Sequence, residues 1–140
     1  MALDALPAKH LFTLTADTSG NTMLAGAPQG NRLLVVVTGG TFEGPEIKGT
    51  VDSGGGDWLT MRADGSIKLD VRITLRTHDG AAILMTYTGI GVNSGGGFSL
   101  RTAPLFETGD ERYTWLNNVQ AVAHGAPGQG NVTYDVYALT

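Results

Sequence analysis

The sequence predicts an all-β protein: a single antiparallel β-barrel of about nine short strands with at most one short helical turn. A two-sheet sandwich is the next arrangement in line. Three observations carry this. Glycine supplies 21 of 140 residues, much of it in short clusters between apolar runs, the pattern of turns, bulges and barrel corners. Residues 67–76 alternate strictly, Ile67, Leu69, Val71, Ile73 and Leu75 against Lys68, Asp70, Arg72, Thr74 and Arg76, which is the period of a strand. Two Asp-Gly dipeptides, Asp64-Gly65 and Asp79-Gly80, bracket that stretch as hairpin signals.

Taken in order, candidate strands cover residues 10–17, 33–38, 47–51, 58–62, 67–77, 81–88, 98–102, 119–124 and 132–139. Gly39-Gly40 follows the second, Gly54-Gly55-Gly56 precedes the fourth, and Gly95-Gly96-Gly97 precedes the seventh. The run from Gly125 to Gly130 around Pro127 separates the last two. Residues 108–118 lack the alternation and carry Asp110 and Glu111, acids that suit the start of a helical turn. A barrel has the added merit of leaving few exposed edges.

The Asp-Gly turns also set a register. If each is a two-residue type I′ turn, Arg72 faces Asp57 on one neighbouring strand and Tyr87 on the other. An acid, a guanidinium and a phenol then form one row on one face. Leu59, Met61, Lys68, Asp70, Ile83 and Met85 share that face. The opposite, core face holds Trp58, Leu84 and the apolar residues of 67–75. The plainest meaning of the row is a solvated cross-strand ion pair, which contributes about 0–1 kcal/mol.

Composition narrows the function. A charged fraction of 16% against 41% hydrophobic residues describes a folded domain. The net charge of −4 without a basic cluster argues against nucleic acid. Cysteine is absent, which removes disulfides and thiolate chemistry. No secretory leader or bilayer-length apolar run is visible, so a cytoplasmic protein with no membrane partner is expected. His10, His78 and His124 lie far apart without ligand spacing, so no metal site is expected. The glycine triplets do not open helices and are not phosphate loops. No Gly-x-Ser-x-Gly elbow occurs.

From Gly39 onward the chain resembles the family known as domain of unknown function 3237. The residues that carry the resemblance are Gly39-Gly40-Thr41-Phe42-Glu43-Gly44-Pro45, Gly55-Gly56-Asp57-Trp58 and Leu69-Asp70-Val71-Arg72. Thr77-His78-Asp79-Gly80-Ala81, Arg101-Thr102-Ala103-Pro104-Leu105-Phe106-Glu107-Thr108 and Tyr113-Thr114-Trp115-Leu116-Asn117 continue it. The resemblance implies a compact β-barrel that self-associates as a homo-oligomer. It further implies kinship with cofactor-independent lyases that remove a one-carbon group, such as a carboxylate, from phenolic substrates. The glycine-rich stretch between Tyr87 and Phe98 is shorter here than the insert of many relatives.

Together these readings give a cofactor-independent lyase or decarboxylase acting on a small aromatic or phenolic ligand. Asp57 serves as acid or base, Arg72 and Arg101 hold an anion, and Tyr87 transfers a proton. Trp58, Tyr113 and Trp115 supply aromatic walls, with Glu107 and Asn117 on the same non-repetitive stretch. In the structural alternative, Tyr113 and Trp115 plug a barrel end and Asn117 caps backbone. Two other classes remain open at this point: a non-catalytic binding protein for a hydrophobic metabolite, and a structural or assembly module.

Overall fold

The computed structural model describes all 140 residues. Its strands are β1 (Ala8–Ala27), β2 (Gly30–Glu43), β3 (Lys48–Val51), β4 (Gly56–Met61) and β5 (Ile67–Thr77). They continue with β6 (Ala82–Asn93), β7 (Phe98–Thr102), β8 (Leu105–Glu107), β9 (Ala121–Pro127) and β10 (Asn131–Leu139). A 3-10 turn occupies Thr114–Asn118, inside the stretch read as helical. All pairings are antiparallel, and the order β5-β4-β2-β1-β10-β9-β7-β6 returns to β5. The barrel is therefore closed. β3 pairs with β2 and β5 just as β4 does, so the two are halves of one stave broken at the glycine triplet. β7 and β8 likewise both pair with β6; β8 makes the strand count ten instead of nine.

The first two strands are longer than expected. Residues 18–27 and 30–32 extend the β1–β2 hairpin, largely solvent-exposed. Without a buried face they have no alternation to betray them.

The alternation of β5 is reproduced in its burial. Ile67, Leu69, Val71, Ile73 and Leu75 are all buried, and Lys68, Asp70, Arg72 and Arg76 are exposed. Opposite them, however, the register is shifted by one residue. Asp57 pairs with Val71 and Gly56 with Arg72; Arg72 pairs with Thr86 and Val71 with Tyr87. The cause is the turn. Arg62 N–H donates to the Ser66 carbonyl at 2.8 Å and Thr77 N–H to the Ala81 carbonyl at 2.9 Å, so each loop holds three residues. Within these two loops only Gly65 (φ 86°) and Gly80 (φ 93°) take positive φ, and no residue other than glycine does so anywhere. A type I′ turn would have required it of the aspartates too. The loops are instead of the three-residue kind, with glycine alone in the left-handed region. Asp64 and Asp79 spend their carboxylates on the flanking hydroxyls of Ser66 and Thr77.

A one-residue shift exchanges the two faces of a strand. Asp57, Leu59, Ile83, Met85 and Tyr87 therefore enter the barrel with the apolar side of β5. Trp58 and Leu84, expected in the core, are 46% and 39% exposed on the outer wall.

One end of the barrel is filled solid. Phe12 packs edge-on against Phe42 and Phe106, with ring centroids 5.4 and 5.9 Å apart, an arrangement that suits aromatic quadrupoles. Leu116 of the 3-10 turn, fully buried, closes that end together with Tyr113. The other end gathers the β4–β5, β6–β7 and β9–β10 turns and the projecting β1–β2 hairpin.

Candidate functional site

The barrel interior is not filled at this second end. A cavity of about 130 Å3 lies between β1, β2, β4, β5, β6, β7, β9 and β10. Its apolar wall includes Val35, Leu59, Leu69, Val71, Leu100 and Val132, and its polar groups are Thr18, Asp57, Tyr87, Asn131 and Tyr134.

Asp57 reaches the cavity because β4 begins there after a sharp bend. Gly54 has φ 111°, and a Cβ on Gly55 would lie 2.6 Å from the Arg72 carbonyl oxygen, so the stave can break only where side chains are absent. The first inward residue after the bend is Asp57, 9% exposed. Its Oδ1 accepts the backbone N–H of Asp70 at 3.0 Å. Burial raises its carboxyl from the usual 3.8 to about 6, against the lowering effect of that hydrogen bond, and the nearby Asp70 charge adds to the rise. It is a carboxyl poised between acid and base close to neutral pH.

Tyr87 and Tyr134 face each other across the cavity, rings edge-on with centroids 5.4 Å apart. Burial pushes the Tyr87 phenol well above 10, and the Tyr134 phenol and the Asp57 charge push it further. The Tyr134 phenol is also raised by burial and by Asp57, while Tyr87 lowers it. The Asp57 charge thus bears on both phenols, and each phenol bears on the other. Both phenols stay protonated at neutral pH and can only donate until the carboxylate or a substrate anion draws on them. The three share a small, mostly apolar space, where charge interactions are strong.

The remaining expected residues lie elsewhere. Arg72 stands on the outer wall beside Asp70, Leu84 and Leu105. It forms no row with Asp57 and Tyr87, for the reason of register given above. Arg101 is also on the outside, its Nη1 donating to Ser99 at 2.6 Å, in a shallow groove with His124 and Tyr137. Glu107 and Trp115 are exposed. Tyr113 donates to both carboxylate oxygens of Asp79 at 2.8 and 2.9 Å, tying the 3-10 turn to the β5–β6 hairpin. Asn117 accepts from Thr108 N–H at 2.8 Å and donates to the Thr108 carbonyl at 2.9 Å. These two anchor the plugged end, as the structural alternative had it.

Three site residues escaped the sequence reading: Tyr134, Thr18 and Asn131. For Tyr134 a signal existed. Val132, Tyr134, Val136 and Ala138 alternate with Thr133, Asp135 and Tyr137, so Tyr134 shares the apolar face of β10. Which residue it would meet depended on β10 closing the barrel beside β1.

A family profile described as "protein of unknown function (DUF3237)" matches residues 7–139. Over 90 residues the chain is 40% identical to the "hydroalkoxylation enzyme phnH" of Penicillium herquei, an alignment covering 64% of this chain and 54% of that protein. The chain thus spans about half the length of that relative. The solved structure of RPA1785, a protein of unknown function from Rhodopseudomonas palustris, superposes with TM-score 0.91 at 28% identity, covering 99% and 100% of the two chains. A solved structure of an enzyme from Penicillium herquei superposes with TM-score 0.77 at 28% identity, covering 100% of this chain and 98% of that one.

Proposed function

The chain belongs to the DUF3237 family, and from that premise we propose that its barrel interior is a cofactor-independent acid–base site for small phenolic substrates. The reaction is addition of a hydroxyl across a C=C bond, or the reverse elimination, which is a lyase reaction. One observation carries this reading: a buried carboxyl titrating at about 6 shares a cavity of about 130 Å3 with two phenols that its charge perturbs.

The size is on the scale of one aromatic ring: at about 130 Å3 the cavity is slightly smaller than the apolar cavity of about 150 Å3 that accepts benzene. The chemistry needs only protons. In the addition, the substrate hydroxyl loses its proton as oxygen bonds to one alkene carbon, and a proton is delivered to the other carbon. Atoms balance without an oxidant. Asp57, as carboxylate, accepts the hydroxyl proton; the tyrosine pair donates to the carbon and is recharged from Asp57. The same groups in reverse order serve the elimination. Proton transfer of this kind contributes about a hundredfold or more in rate. The hydroalkoxylation named for the Penicillium herquei relative is of this class, which favours it over decarboxylation. A decarboxylase of the form drawn from sequence has its two arginines on the outer wall, away from the cavity.

The test is incubation with 2-allylphenol, whose cyclised product has unchanged mass and is distinguished by NMR. Wild type should form the dihydrobenzofuran, and Asp57→Asn, folded, should not. A protein that binds the phenol beside Tyr87 yet yields no product, or an Asp57→Asn variant of equal activity, would refute the reading.

A further inference from the structure

Among the cations that the proposed chemistry leaves unused at the cavity end of the barrel is Arg62. Arg62 sits on the β4–β5 turn, facing a second hollow of about 470 Å3 beneath the β1–β2 hairpin. Of the residues around this hollow, which include Ala27, Asn31, Met61, Ser66 and Phe98, Arg62 is the only charged one. Ile67 lines both this hollow and the inner cavity. The two hollows therefore adjoin at that side chain.

Arg62 is held on one edge only. Its Nε donates to the Ser66 hydroxyl at 2.8 Å, and Ser66 is itself fixed to Asp64 through its hydroxyl and through its backbone N–H at 2.9 Å. The terminal nitrogens make no hydrogen bond within the chain, and Arg62 joins no ion pair. The Asp64 carboxylate is near enough to feel the guanidinium but is engaged by Ser66. A planar fork anchored at Nε, with its outer nitrogens free, is suited to a carboxylate.

We propose that Arg62 is a substrate-binding residue: it holds an anionic group that a short chain links to the aromatic ring seated in the inner cavity. The substrate class is thus a phenolic ring with a carboxylate-like tail. This rests on the inner cavity being the ring site. Because the guanidinium is exposed, its contribution lies in affinity and orientation and is weakened by salt.

The probes are 4-hydroxyphenylacetate, 4-hydroxyphenylpropanoate and 4-hydroxyphenylbutanoate, each beside its primary amide. Binding is measured by calorimetry, and ring contacts by NOEs to Tyr87 and Tyr134. At least one acid should bind about tenfold more tightly than its amide at low salt. That preference should fall within about twofold in Arg62→Gln, return in part in Arg62→Lys, and persist in Lys48→Gln at the plugged end. Equal binding of acid and amide, with NOEs to both tyrosines, would overturn the role of Arg62 and leave the ring site standing. Absence of binding by every probe, or binding without those NOEs, would overturn both.

Discussion

Replacing Asp57 by asparagine should make the protein more stable at neutral pH while removing its chemistry. The folded carboxyl titrates at about 6 instead of 3.8. Between those values the unfolded chain gives up its proton while the folded chain keeps it, so stability falls as pH rises through this window. Below about 3.8 the penalty is absent; above about 6 it is fully present. A rise of about two pH units at 1.36 kcal/mol each corresponds to roughly 3 kcal/mol. Asparagine has no charge to desolvate, and its Oδ1 can still accept the Asp70 N–H that Asp57 holds at 3.0 Å. Asp57→Asn should therefore gain up to about 3 kcal/mol at pH 7.5 and almost nothing at pH 4. In thermal terms this is on the order of 10 °C for a domain of this size. The assay is urea and thermal unfolding of both proteins at intervals from pH 4 to 8. Parallel stability profiles across that range would refute the reasoning, because a carboxyl that costs nothing to ionise in the fold is not buried as described. Such a gain in stability with loss of turnover is expected where a charge is kept for function.

Four further outcomes follow from the same structure. Tyr134→Phe removes one of the two proton donors and should lower turnover of 2-allylphenol by about a hundredfold; unchanged kinetics would leave Tyr134 a wall only. Arg72→Gln should leave the Asp57 carboxyl at about 6 by 13C NMR titration, since Asp70, not Arg72, is the charge that perturbs it; an upward shift would restore the cross-strand row. Gly80→Ala, at φ 93° with open space around a new Cβ, should cost about 1–2 kcal/mol from backbone strain alone. Gly96→Ala, equally open but without positive φ, should be nearly neutral in the same melts.

Much of the architecture was legible along the chain. The alternation over 67–76, the glycine breaks and the helical turn near Trp115 each report on local backbone, and local backbone is what period and turn residues encode. Even Asn117 and Tyr113 carried a structural option that their bonds to Thr108 and Asp79 realise. The strand extensions over residues 18–32 were silent because a hairpin exposed on both faces imposes no pattern.

The site itself turned on a smaller matter. Asp-Gly marks a hairpin, but whether the loop holds two residues or three depends on the aspartate's φ and on its bonds to Ser66 or Thr77. That single residue of register decides whether Asp57 and Tyr87 face water with Arg72 or face each other inside. Residue periods and the conformational freedom of glycine place most of the strands, the positions of the turns and the apolar face of β5 within reach of the chain alone. Only the closed barrel decided that Asp57, Tyr87 and Tyr134, from strands distant in the chain, meet in one cavity. Closure sets which faces point inward, and burial there is what lifts the Asp57 carboxyl toward neutral pH.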